Sequence, residues 1–569
     1  MSKGYFKEII DAIKAKKPNK KQLNRLKYRI CKKHKLKHIP TDIEILLNAD
    51  PRDIPKIKRY LLTKPTRTIS GVAVCAIMTK PIKCPHGRCA MCPGGPGSEF
   101  GDMPQSYTGK EPATRRAIRN RFDPYLQTIN RLEQYVVSGH VPDKIELIIM
   151  GGTFPSFPKK YREDFVKYAI KAMNDFSALF FPRGGRPGDG RGDFDFFKFK
   201  NFFELPGDIN DKDRLNRLHN KLLKLKIDKK QSLETIQKNN EKSKIKCVGL
   251  TIETRPDYGK LKHGNEMLRL GCTRVELGVQ SVYDDVLKKI RRGHTVKDSV
   301  DSIKTLRNLG FKLNFHVMPG LPGVDRSKDF MGLIELLRNP DYRPDMLKIY
   351  PCMVLKGTKA YKWWKQHKYR PLTTKKAAEL IAEFKQFVPR WIRIMRVQRD
   401  IPTFMTEAGV GMTNLRQYIE KLMKKQKIKC ECIRCREPRG KKLSNKTEIS
   451  TVHYEASNGN EFFISADDVK NDIILGFCRL RFPSKFLRKE VTEDSALIRE
   501  LHVYGEAAAI GKKGKVQHKG IGKALMEAAE ETAKTYNRSK MVVISGIGAR
   551  EYFRKLGYNK EGPYMVKRL

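Results

Sequence analysis

At 569 residues, with 39% hydrophobic and 31% charged side chains, the chain is too long for one ordinary core and too mixed for a fibrous or disordered protein. It carries no run of about 18 apolar residues and no signal-peptide pattern, so a cytoplasmic protein without a membrane partner is expected. The formal charge of +54, from 116 Lys and Arg against 62 Asp and Glu, costs self-repulsion in a folded state and makes a polyanionic partner, nucleic acid before membrane, the expectation.

Taken in chain order, residues 3 to 37 hold 14 Lys and Arg against Glu8 and Asp11, and Tyr5, Phe6, Ile9, Ile10 and Ile13 recur at helical spacing. Residues 1–65 are therefore predicted as a small basic helical segment that contacts nucleic acid. From 66 to 402, short β-branched runs alternate with helical stretches. Val72–Met78, Ile145–Met150, Cys247–Glu253, Arg274–Gln280, Phe311–Pro319 and Met346–Met353 read as strands. Six strand–helix repeats predict an α/β fold with a parallel sheet, a partial or complete βα barrel, with an open doubly wound sheet as the competing arrangement. The stretch 181–211, rich in glycine and phenylalanine, reads as an ordered insertion or lid, and 389–402 as the close of the barrel. Residues 403–445 form a basic linker, and 446–569 change to antiparallel strands, one helix from Gly520 to Tyr536 and a further strand, a separate α+β domain.

The 12 cysteines are clustered, which favours metal or redox sites over disulfides in this setting. In Cys84-x4-Cys89-x2-Cys92 three thiols come from one loop after the first strand, with His86 the only local candidate for a fourth ligand. Three cysteines can hold three irons of a four-iron cluster and leave the fourth open. Spacing alone leaves zinc and iron–sulfur even. The surrounding pieces resemble radical S-adenosylmethionine (SAM) barrels: Gly151 and Gly152 in IMGGTF, Glu253 and Arg255 in TIETRPD, Gln280 in GVQS and His316 in NFHVMPG all end predicted strands, where barrel active sites assemble.

In the last domain, Gln517-His-Lys-Gly520-Ile521-Gly522-Lys523 is a glycine-rich helix start of the kind that binds pyrophosphate. With the strand Glu500-Leu501-His502-Val503 before it and Tyr552-Phe553 after it, the domain resembles GNAT-type acetyltransferases. Phe553 occupies the usual tyrosine position of that family, so the neighbouring Tyr552 is the candidate for the acid role.

The strings CPHGRCAMCPGGPGSEF, PQSYTGKEPATRRAIRNRFDPY, RVQRDIP, RELHVYG and GPYMVKRL resemble the catalytic-subunit family of the Elongator complex in its stand-alone archaeal-type form, from about Pro65 to Leu569. The resemblance implies a radical SAM partial (βα)6 TIM-like barrel followed by a GNAT-like domain, acting on the wobble uridine of tRNA. It implies a 4Fe-4S cluster on Cys84, Cys89 and Cys92, SAM near Gly151, Gly152, Glu253, Arg255 and Gln280, and acetyl-CoA bound by the 500–503 strand, the 517–523 loop, Tyr552 and Lys144. Lys144 is also implied as a catalytic residue. It further implies a 5′-deoxyadenosyl radical that takes hydrogen from the acetyl methyl group, addition to uridine carbon 5, and thioester hydrolysis to carboxymethyluridine. Cys430, Cys432 and Cys435 match the family's linker zinc site, with Cys352 or a histidine open as fourth ligand. An electron donor for the cluster is expected, and a homodimer is left open. The competing function is a lysine acetyltransferase whose iron–sulfur domain is only structural.

Overall fold

The computed structural model describes residues 3–63, 71–182, 194–208, 211–227, 231–439, 441–444, 446–504 and 520–569. Helices α1 (Lys3–Lys16), α2 (Lys20–Lys33) and α3 (Asp42–Asn48) bury the α1 stripe Tyr5, Ile9 and Ile13 together with Leu23, Ile30 and Ile45. Capping boxes at Asn19/Gln22 and Thr41/Glu44 satisfy the first free N–H groups of α2 and α3 and set where each helix begins.

Strands β1 (Ala73–Met78), β2 (Lys144–Met150), β3 (Lys246–Thr254), β4 (Arg274–Gln280), β5 (Lys312–Val317), β6 (Met346–Ile349) and β7 (Arg393–Arg396) pair in parallel in that order. Sequential parallel pairing with helical crossovers curls the sheet into an incomplete barrel, β1 and β7 being its edges. The six expected strands are present, and β7, which the sequence reading passed over, adds a seventh. Side chains alternate along each strand. Leu147, Ile149, Val275, Leu277, Leu313 and Phe315 join the core under the helices, whereas Ile148, Glu253, Glu276, His316 and Lys348 line the lumen. A polar lumen inside an apolar jacket is therefore a consequence of period-two patterning.

After β2 runs α4 (Lys159–Phe180). Of the expected insertion, residues 183–193 and 209–210 lie outside the described residues. The rest, including α5 (Phe196–Phe202), packs its phenylalanines on α4, with ring centroids 5.5 Å apart for Phe180–Phe199 and 4.9 Å for Phe199–Phe203. This aromatic cluster belongs to the outer helical layer, and none of its described residues lines the lumen. Helix α6 (Lys359–Lys365) follows β6.

The second sheet has the order β8 (Glu448–Ala456), β9 (Gly459–Asp468), β10 (Ile473–Phe482), β11 (Ser495–Val503), β12 (Lys540–Val543), β14 (Tyr564–Arg568) and β13 (Asn559–Glu561), with α7 (Ile521–Thr535) packed on β10 and β11. The closing β13–β14 hairpin is an addition to the strands expected from sequence. All pairs are antiparallel except β11–β12, which pair only from Ser495–Lys540 to Ile498–Val543. Beyond Ile498, β11 keeps β10 on one side as far as Val503 and leaves its other side splayed from β12.

The two sheets meet at a buried ionic seam on the amino ends of the barrel strands. Arg499 donates to both oxygens of Asp345, at 2.8 and 2.6 Å, to Glu461 at 2.8 Å and to the Phe311 carbonyl at 2.9 Å. Arg479 joins Glu500 at 3.0 Å and the Trp391 carbonyl at 2.8 Å, and Arg481 joins Glu461 at 2.9 Å and Asn308 Oδ1 at 2.7 Å. Charges this deeply buried are tolerable only where partners offset their lost hydration.

Candidate active site in the barrel lumen

The cysteine loop crosses the carboxyl ends of the strands. Gly94 lets it pass under the next segment: a Cβ there would stand 2.3 Å from the Tyr107 carbonyl oxygen. Cys84, Cys89 and Cys92 all line one cavity of about 500 Å³, which continues down the lumen past Glu253, Arg255, Gln280 and His316 to Lys348. Gly151 (φ +115°) and Gly152 (φ +90°) turn the chain sharply at the end of β2, and a Cβ on Gly152 would be 3.7 Å from Cys84 Sγ. Cys84 Sγ lies 3.6 Å from Thr153 Oγ1, Cys92 Sγ accepts from the Ser106 N–H at 3.2 Å, and Cys89 Sγ has His86 Nε2 at 3.1 Å and Arg292 Nη1 at 3.6 Å. Burial, with Cys89 adding, pushes the Cys92 thiol up to about 11, so that thiol ionises readily only with a cation to receive it.

Several polar atoms facing this cavity are buried without a partner among the described residues: His86 Nδ1, Arg255 Nη1, Gln280 Oε1 and Arg292 Nε. Gln280 also holds φ at +67°, an uncommon conformation for a residue with a side chain. Orphaned donors and an acceptor around three thiols fit a charged, polar group held among them. Deeper in, Glu276 accepts from Asn314 Nδ2 at 3.1 Å, lies 2.9 Å from His316 Nε2 and is ion-paired to Lys348. Burial opposes its charge, but Lys348 and the His316 contact hold its carboxyl well below the usual range. Glu253, which accepts from Tyr107 Oη at 3.2 Å, is pushed up to about 7 by burial, with Lys348 pulling against and the Glu276 charge adding. One lumen thus holds, side by side, a carboxyl that keeps its proton up to about neutral pH and one that is ionised.

The cysteine triplets differ in spread. Among the described residues, Cys430, Cys432 and Cys435 have ligand atoms all within 4.8 Å of one another, as do Glu253, Glu276 and His316, whereas the loop triplet is not drawn so close. Convergence suits one tetrahedral ion with metal–sulfur bonds of about 2.3 Å, and a wider spread suits a cluster that offers each sulfur its own iron. Lys385 Nζ donates to Cys435 Sγ at 3.5 Å. Cys352, considered above as a fourth ligand, packs instead with Cys89 and Cys92.

In the second domain, a Cβ on Gly522 would stand 2.9 Å from Tyr552 Oη, so the hydroxyl sits directly over the start of α7. Tyr552, on α8 (Arg550–Arg554), is exposed, while Phe553 is buried in the core of that domain. Leu501 and Val503 point toward α7, and Glu500 turns into the ionic seam, where Arg479 holds it. His502 stacks on Phe477 and meets Tyr504 edge-on. Gly520 (φ +82°) caps α7 ahead of Ile521, and Lys523 pairs with Glu527. Gln517 lies outside the described residues.

A model of the ELP3 N-terminal domain matches residues 4–69, the radical SAM superfamily matches 81–337, a radical SAM C-terminal domain matches 344–425, and an acetyltransferase (GNAT) domain matches 513–568. The tRNA uridine(34) acetyltransferase of Methanocaldococcus jannaschii is 43% identical over 570 residues, covering 98% of this chain and 95% of its own length. Elongator complex protein 3 of Schizosaccharomyces pombe is 41% identical, covering 96% and 93%. The chain belongs to the Elongator complex protein 3 family. The solved structure of archaeal Methanocaldococcus infernus Elp3 with an N-terminus deletion superposes with a TM-score of 0.70 at 39% identity, covering 88% of this chain and 100% of the other. As a member of the Elp3 family the chain is a radical SAM acyltransferase, and its radical SAM domain implies SAM and a 4Fe-4S cluster. Among the described residues no helix is long and apolar enough to cross a membrane.

In this Elp3-family fold, Gly152, Glu253, Arg255, Gln280 and His316 line the cavity with the loop cysteines, at the strand ends, whereas Gly151 turns toward Thr79 and Pro104 beside it. Lys144 does not: it opens β2 at the far end, seven residues of about 3.3 Å each, or roughly 20 Å, from Gly151. That end carries the second domain, where the Ile547–Ala549 turn abuts Lys246 and Cys247 of β3. Sequence reasoning missed Glu276, Lys348 and Arg292. Arg292 is held by the Gly278 carbonyl at 3.0 Å, and a Cβ on Gly278 would stand 2.3 Å from its Nη2. The pair Gly278/Arg292 carries no local signature, because glycine and arginine are joined only by the fold.

Proposed function

We propose that the chain modifies carbon 5 of the wobble uridine, position 34, of tRNA, with the acetyl group of acetyl-CoA as carbon source and carboxymethyluridine as product. The observation that carries the reading is the meeting of three loop cysteines with the partnerless atoms of Arg255, Gln280 and Arg292 in one cavity. The family membership supplies the substrate, since the relative from M. jannaschii is named for uridine 34 of tRNA.

Cys84, Cys89 and Cys92 would hold the 4Fe-4S cluster, with Glu253, Arg255 and Gln280 and the backbone at Gly151 and Gly152 around SAM. Bound there, cluster and SAM supply a carbon radical able to take hydrogen from an unactivated C–H bond, such as the acetyl methyl group. Addition of that methyl carbon to uridine carbon 5 would leave an unpaired electron at carbon 6; loss of that electron to the oxidised cluster and of the carbon 5 proton would restore the ring double bond, and thioester hydrolysis would then release CoA and leave the carboxymethyl group. The splayed side of β11 from Glu500 to Val503 offers backbone groups to the pantetheine arm. Gly520 to Lys523 present the α7 amino end to its phosphates, and Tyr552 stands over that end as the candidate acid. Lys144 would serve acetyl-CoA from the seam side of the barrel. Cys430, Cys432 and Cys435 would hold a structural zinc, with Lys385 donating to one thiolate.

The test is anaerobic reconstitution with iron and sulfide, then SAM, dithionite, acetyl-CoA and tRNA, with nucleosides read by mass spectrometry. Carboxymethyluridine that requires SAM and disappears in Cys89→Ala supports the reading. Product formed without SAM overturns it, and SAM-independent acetylation of a protein substrate alone would favour a lysine acetyltransferase.

A further inference from the structure

The segment Cys89–Cys92 has two sides. One lines the lumen cavity. The other packs on α6: the Ala360 N–H donates to the Ala90 carbonyl at 2.9 Å, and Tyr361, Trp363 and Trp364 lie against the apolar cluster that contains Cys89, Met91 and Cys92. No α6 residue lines the cavity. The outer side of α6 and the turn after it is basic. Lys362, Lys365, Lys368 and Arg370 are exposed and have no carboxylate partner among the described residues, and no Asp or Glu occurs from Lys356 to Ala378. Lys359 Nζ stands 4.9 Å from the Trp363 ring centre and Lys365 Nζ 5.1 Å from that of Trp364.

A cluster on these cysteines has to receive an electron while SAM and substrate occupy the cavity. Electron transfer weakens steeply with distance, so the donor must approach within reach of the cysteines by a face that the substrate leaves free. The α6 side is such a face. We propose that Lys359 to Arg370 dock an acidic one-electron carrier protein, which passes one electron to the oxidised cluster and departs oxidised by one electron. This inference rests on the reading that Cys84, Cys89 and Cys92 hold the cluster. RNA is the less suited occupant: the tryptophans are half-buried with lysines over them, not open stacking platforms, and the helix lies off the cavity into which a base must be delivered.

The experiment compares the reconstituted protein with its K362Q/K365Q/K368Q variant in stopped-flow reduction by a reduced plant-type [2Fe–2S] ferredoxin, by dithionite, and in tRNA binding. Removing steering charges should slow ferredoxin reduction about tenfold or more at low salt, with the difference closing as salt rises, while dithionite reduction and tRNA affinity stay unchanged. Ferredoxin binding to the cluster-free protein, read by calorimetry, should weaken in the same variant. Equal ferredoxin rates in the two proteins overturn the inference, as does lost tRNA affinity with an unchanged ferredoxin rate, which would make the face an RNA contact. Failure to assemble any cluster overturns the proposed function as well. A cluster that dithionite reduces, with ferredoxin rates indifferent to the lysines, overturns this inference alone.

Discussion

Cys89 Sγ has two side-chain nitrogens beside it, His86 Nε2 at 3.1 Å and Arg292 Nη1 at 3.6 Å. With the cluster on Cys89, as proposed, donors to its thiolate would favour the state with more negative charge and so raise the potential at which it accepts an electron. A donor worth about 1.4 kcal/mol corresponds to about 59 mV for one electron, and Arg292→Gln is expected to move the midpoint by about that much to more negative values in an EPR-monitored titration. An unchanged midpoint would reduce Arg292 to a loop clamp. Glu253 gives a different signal. Its carboxyl is raised from an ordinary 4.5 to about 7, so between those values the folded chain holds a proton that the unfolded chain has released. The stability it contributes is whole below pH 4.5 and fades as pH rises through 7. Glu253→Gln should therefore flatten the decline in unfolding free energy between pH 5 and 7, read from urea titrations, by up to about 1.4 kcal/mol per pH unit.

At the scale of elements, the start of α7 depends on the absence of a side chain at Gly522, where a Cβ would meet Tyr552 Oη at 2.9 Å. Gly522→Val should push Tyr552 aside and weaken acetyl-CoA binding about tenfold by calorimetry, a loss of about 1.4 kcal/mol, with the melting temperature little changed. Tight binding in that variant would remove Tyr552 from the cofactor site. The elements themselves were legible where period was strong. Six barrel strands and α7 read directly, because apolar runs and helical spacing are local properties; β6 has only four residues but all four are buried within a longer apolar run. Strand β7, Arg393–Arg396, and the β13–β14 hairpin were not, since four charged-and-apolar residues or a short terminal hairpin carry too little pattern. The site divided the same way. Strand-end residues such as Gln280 were found by position, but Glu276 and Lys348 sit within or near strand middles, where a lone polar residue looks like any satisfied core group. Arg396 and Arg399 stood inside a quoted string, RVQRDIP, without distinction, and only the fold brings them to the cavity.

For the whole molecule, the seam of Arg479, Arg481 and Arg499 against Asp345, Glu461 and Glu500 decides whether the two sheets behave as one body. Removing one member strands its partner in a place that water does not reach. Arg499→Leu is expected to cost about 3–5 kcal/mol and to split a single calorimetric transition into two, whereas an unaltered single transition would mean that apolar contacts alone hold the domains. The acidic members Asp345 and Glu461 lie on opposite sides of the Cys430–Cys435 linker, and Arg499 bonds both. A gene break anywhere between them would leave each product with raw, uncompensated charge on the face that meets its partner. Neither half could be traded to another fusion partner without redesigning that face, so the radical and acetyl-CoA modules should pass down lineages as an inseparable pair.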